Sequence, residues 1–163
     1  MPSQNQLLKK GALTTIINAG LLAGFMDGLA AIVTNLHLNP LSIFRYIASG
    51  VLGNSAFSGG VLTAMVGILF HFIIAASWAL IFFLIYPKIN WFSKSDVITG
   101  VFYGLVIWLV MNLIVVPVSR TPPVTITFGE VIVGIAILML CAGIPISLII
   151  GKYYKITRQI DDD

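Results

Sequence analysis

Charge is what this sequence lacks most. Nine Lys and Arg and six Asp and Glu make up 9% of its 163 residues. A soluble domain carries about 25% charged residues because its surface must face water. Cysteine is equally scarce. Cys141 stands alone inside an apolar run, so no internal disulfide can form and no redox compartment can be read from it. These shortages exclude disordered, fibrous and disulfide-stapled secreted chains. What fills the space is apolar: 58% of residues are hydrophobic and the mean hydropathy is +1.02. The net charge of +3 and pI near 9.2 do not point to nucleic acid, because the basic residues are scattered singly between apolar runs, as in membrane loops.

Catalytic and cofactor motifs are missing as well. There is no Walker loop, no GxGxxG between a strand and a helix, no HExxH and no CxxC. One histidine within the apolar runs cannot supply bis-histidine haem ligation, and His37 falls at their edge. No serine has a base spaced to activate it. The sequence therefore predicts no enzyme, no cofactor and no metal site.

Four apolar runs are long enough for a hydrocarbon core of about 30 Å, which needs roughly 20 helical residues. They cover about 11–33, 61–86, 98–118 and 130–154, with Pro145 as a kink in the last. The fold expected is all-α: a polytopic membrane protein with four transmembrane helices and one domain over 1–163. Lys9 and Lys10 precede the first run as they would in a signal peptide. That run is too long for a signal h-region and contains Asp27, so it reads as an uncleaved span. Seven Lys and Arg fall in the termini and the middle loop, against Arg45 and Arg120 in the other two loops. This asymmetry predicts that both termini are cytoplasmic.

The first external loop contains its own helix. Asn39-Pro40 is an N-cap followed by proline at the first helical position. Over 40–52, Leu41, Phe44, Ile47, Ala48, Val51 and Leu52 fall on one face and Ser42, Arg45, Ser49 and Gly53 on another. The pattern predicts a short interfacial helix; a re-entrant segment is the rival, favoured by the small residues from Gly53 to Gly60. The second external loop, Ser119–Gly129, holds Pro122-Pro123 and reads as a stiff, extended connection.

Polar groups inside the spans need a reason, since an ionisable side chain at membrane depth costs at least about 2.5–3.5 kcal/mol. Asp27, His71 and Asn112 lie in the outer half of their spans, Glu130 opens the fourth, and Arg45 and Arg120 belong to the external loops. The small-residue series Gly20, Gly24 and Gly28, and Gly100 with Gly104, let another helix backbone approach closely. Packing through these faces would bring Asp27, His71 and Asn112 together beneath the arginines. The expectation is an outward-facing polar pocket that binds or passes a small solute or proton, in a homo-oligomer assembled through the glycine faces. A different role is an accessory or assembly subunit whose glycine faces dock on a partner membrane subunit. The plainer reading of the same residues is that Asp27, His71 and Asn112 hydrogen-bond across helices only to hold the bundle, that Glu130 is a first-turn acid, and that the arginines are interface anchors.

Tyr86-Pro-Lys-Ile, Gly100, Gly104, Trp108, Met111 and Pro117, then Thr121-Pro-Pro, together resemble the YagU-type group of small bacterial inner-membrane proteins over residues 86–123. The resemblance implies a bacterial inner membrane, multi-pass, and a role linked to protons. It brings no catalytic residue with it.

Overall fold

The computed structural model describes residues 4–88 and 95–162, and among these the chain is helical with no strand. Helix α1 covers Gln4–Thr34, α2 Pro40–Leu52 and α3 Gly60–Ile85. Helix α4 covers Asp96–Val110 and runs through a widened π turn, Met111–Val115, into the short α5, Val116–Val118. Helix α6, Phe128–Ile137, passes through a second π turn, Leu138–Gly143, into α7, Ile144–Asp162. Trp91 and Lys94 lie outside the described residues.

Four helical stretches are long and apolar enough to cross a membrane: Gly11–Thr34, Gly60–Lys88, Asp96–Val118 and Phe128–Ile160. They match the four apolar runs of the sequence, the last continuing further than expected. Large apolar side chains point outward along all of them, among them Phe25, Leu62, Leu84, Phe102, Leu113 and Leu140. Water would penalise such a surface and hydrocarbon would not. The fold is compatible with an integral membrane protein.

Glycine sets the helix order. A Cβ on Gly20 would come within 2.6 Å of the Ala76 Cα, and one on Gly24 within 2.8 Å of the Phe72 ring, so α1 lies directly on α3. Gly100 and Gly104 likewise admit the backbone of Ile144 and of Met139. With α1 packed on α7 as well, the spans stand in the order α3, α1, α6–α7, α4. Gly20, Gly24, Gly28, Gly100 and Gly104 thus each meet another helix of their own chain, and the packing lends no support to oligomerisation through these faces.

The row closes at one end. There Phe82 and Tyr103 pack at 4.5 Å between ring centroids, and Tyr86 stacks on Tyr154 at 5.2 Å. The Tyr103 hydroxyl donates to the Trp78 carbonyl at 2.6 Å, and that of Tyr154 to the Phe83 carbonyl at 2.9 Å, tying α4 and α7 to α3. Asp96 accepts from the Tyr86 hydroxyl at 3.2 Å and pairs with Lys155 at 2.7 Å.

Both π turns precede a proline. Pro117 has no N–H to offer the carbonyl four residues back, at Leu113, and Pro145 has none for Cys141. Each of those carbonyls lies inside a widened turn. The bend expected at Pro145 thus takes the form of a π turn, a common way for a helix to absorb such a defect.

Helix α2 begins as its sequence dictates, with the Asn39 side chain accepting from Leu41 N at 2.9 Å. Its packing differs from the expected pattern. Ala48 and Ser49 are buried, while Val51 and Leu52 are exposed. The helix folds back on α3, where Gly67 has no Cβ and so admits the Phe44 backbone carbonyl. Small residues, Ala48 and Ser49, therefore face the bundle. Ser49 satisfies its hydroxyl on the Tyr46 carbonyl at 2.6 Å.

Candidate functional site

Away from the aromatic end, the helices part around a cavity of about 650 Å³. Its walls are mostly Ala, Val, Ile, Leu and Met from all four spans, with Trp78 and Ile107 toward the closed end. Helix α2 contributes Ile43, Tyr46 and Ile47.

Asp27 and His71 face each other across α1 and α3. The His71 Nε2 lies 2.7 Å from the Gly24 carbonyl oxygen and 4.0 Å from Asp27 Oδ2. A carbonyl only accepts, so Nε2 carries the hydrogen and gives it to Gly24. At 4.0 Å the carboxylate is an electrostatic neighbour and no hydrogen-bond acceptor. The glycine stripe makes this arrangement possible: a Cβ on Gly28 would stand 3.2 Å from Nε2. Phe44 and Phe72 hold the imidazole edge-on, at centroid distances of 6.3 and 5.6 Å. Asp27 itself accepts no hydrogen bond among the described residues, and its side chain is 25% exposed, toward the cavity.

Asn112 lines the same cavity, from the π turn of the third span. Its amide donates to the Trp108 carbonyl at 3.0 Å, which leaves its oxygen as an acceptor. Glu130 also lines the cavity, as the third residue of α6 in a capping box. Its Oε2 takes the Thr127 N–H and hydroxyl, both at 2.7 Å, while the Thr127 hydroxyl accepts from Glu130 N at 3.4 Å. The helix starts two residues before the expected boundary, because Thr127 supplies the cap.

The two arginines stand elsewhere, and neither is among the lining residues. Arg45 binds the Leu41 and Phe57 carbonyls, at 3.3 and 3.1 Å, fastening α2 to the turn that follows it. Arg120 donates its backbone N–H to the Gly50 carbonyl at 3.0 Å, which joins the loop after α5 to α2. The structure thus gathers Asp27, His71, Asn112 and Glu130 around one cavity and leaves Arg45 and Arg120 out of it.

Several further lining residues carry chemistry that the sequence does not assign to a pocket: His37, Tyr46, Trp78 and Trp108. Tyr46 reaches the cavity because α2 folds back, and no local pattern announces that. The tryptophans read in the sequence as ordinary span aromatics. Among the described residues no three of His, Cys, Asp and Glu stand together as a metal-binding group. Compared with models of known protein families, with curated proteins and with solved structures, the chain matches none.

Proposed function

We propose that this integral membrane protein binds a small solute, or passes a solute or proton, through the cavity between its four spans. One observation carries the reading: the Asp27 carboxylate opens onto an otherwise largely apolar space and lacks a hydrogen-bond donor there. A carboxylate placed only to hold helices together would be expected to accept from a neighbouring helix. In this reading Asp27 is the protonatable group, His71 its fixed neighbour, and Asn112 and Glu130 are further acceptors on the walls. The lysine and arginine distribution supports cytoplasmic termini and a cavity toward the outer face. The resemblance of residues 86–123 to YagU-type proteins supports a bacterial inner membrane.

Docking on a partner subunit through the glycine faces draws no support from the packing, because Gly20, Gly24, Gly100 and Gly104 already meet other helices of this chain. The test is flux. In proteoliposomes with an internal pH dye, wild-type protein should support a proton or proton-coupled solute flux that falls about tenfold or more in Asp27→Asn, the loss expected when one essential charged contact is removed. Equal flux in the two proteins sinks the proposal.

A further inference from the structure

The charges around the cavity are distributed against the composition of the chain. Lys and Arg outnumber Asp and Glu nine to six overall, yet the lining contains Asp27 and Glu130 and no Lys or Arg. Acceptors stand among the polar atoms of the wall, beside donors from the Tyr46 and Thr125 hydroxyls and the indoles of Trp78 and Trp108. Among the described residues Asp27 accepts no hydrogen bond, Asn112 gives one of its two amide hydrogens to Trp108 and keeps its oxygen, and His71 gives its Nε2–H to Gly24. Around them stand Tyr46, Trp78 and Trp108, whose ring faces attract cations. Besides Thr34, Asn35, His37 and Thr125, the rest of the wall is largely hydrocarbon, which suits an organic body better than a hydrated inorganic ion. The volume, about 650 Å³, is in the range of sites for drug-sized molecules, roughly 300–1,000 Å³.

Building on the pocket reading above, we infer that the cavity takes a lipophilic organic cation, with its positive centre at Asp27 and its apolar body among the aromatic and aliphatic walls. An anion would meet two carboxylates and no Lys or Arg. A neutral molecule would leave an ionised Asp27 without a counter-charge at membrane depth, a costly state. The groups that could oppose a cation are His71, facing Asp27 from α3, and His37, on the turn after α1. Neither carries a permanent charge.

Sign of charge can be tested with shape held constant. Wild-type protein in nanodiscs of zwitterionic lipid is titrated with tetraphenylphosphonium, with tetraphenylborate of the same shape and opposite charge, and with neutral triphenylphosphine oxide. Empty nanodiscs give the partition background. Saturable one-to-one binding of the phosphonium is expected, about tenfold or more tighter than either other probe, as one well-placed charge contact would give. Asp27→Asn should abolish that preference and Asp27→Glu should retain part of it. Equal affinity for the neutral probe, or unchanged phosphonium binding in a folded Asp27→Asn protein, overturns the cation inference and leaves the pocket standing. Saturable binding of none of the three overturns the cation inference, while the pocket reading falls only if Asp27→Asn leaves the flux unchanged. The comparison of probes on wild-type protein stands by itself if Asp27→Asn does not fold.

Discussion

His71 has its ring in one orientation because four neighbours agree on it. Gly24 accepts its hydrogen, the missing Cβ of Gly28 leaves room for the ring, and Phe44 and Phe72 close on its edges. Replacing it by phenylalanine keeps ring volume and edge contacts but deletes the donor. His71→Phe should therefore lose about 1 kcal/mol of stability, the usual worth of one hydrogen bond between membrane helices. Detergent unfolding followed by circular dichroism measures it, and a loss near zero would mean that ring packing alone holds the site. The residue types at this site were legible in the sequence, since Asp, His and Asn are conspicuous within apolar runs. The bond from His71 to Gly24 was not, because a backbone carbonyl leaves no mark in the sequence. Arg45 and Arg120 show the opposite failure: their loops put them near the expected mouth, but α2 folds back and directs Arg45 to carbonyls of its own segment and Arg120 N to Gly50.

Among the elements, α2 depends most on a single position in another helix. Phe44 packs its backbone where Gly67 has no side chain. Any Cβ there collides with backbone, which cannot rotate out of the way as a flexible side chain can. Gly67→Val should displace α2 from α3 and uncover the cavity on that side. Limited proteolysis should then cut between Asn39 and Leu52 at least about tenfold faster than in wild type, as expected for a locally opened segment; an unchanged rate would show that α2 is held from elsewhere. The start of α2 was readable because Asn39 and Pro40 act locally, through a cap and a fixed φ. Its buried face was not. Amphipathic patterning assumes water on one side, whereas Ala48 and Ser49 pack inward for their small size and Val51 and Leu52 face outward. The glycine stripes teach a related lesson. They announce that some backbone comes close, but not whether it belongs to the same chain.

At the scale of the whole molecule, four crossings of a membrane would bring both ends of the chain to one side. Basic residues predict that this side is cytoplasmic. In a Cys141→Ala background, a membrane-impermeant thiol reagent applied to intact cells should label Ser58→Cys and spare Thr157→Cys until the membrane is opened. The reverse pattern would invert the protein and turn the cavity toward the cytoplasm. Hydropathy alone located the spans, because burial in hydrocarbon needs only length and composition. The cavity needed the third dimension: an aromatic knot at one end, separation at the other, and a widened turn in each of two helices. Those turns have a consequence for how each helix presents itself. A π turn takes in one residue more than an α turn, and one residue is about 100° of helical rotation. The third and fourth spans are thus each two screws out of phase. The side of α4 that carries Gly100 and Gly104 against its neighbour does not continue past Val115 in the same direction, nor does the side of α7 continue back past Leu138. One helix can in this way clasp its neighbour backbone to backbone over half its length and turn a different side to it over the rest.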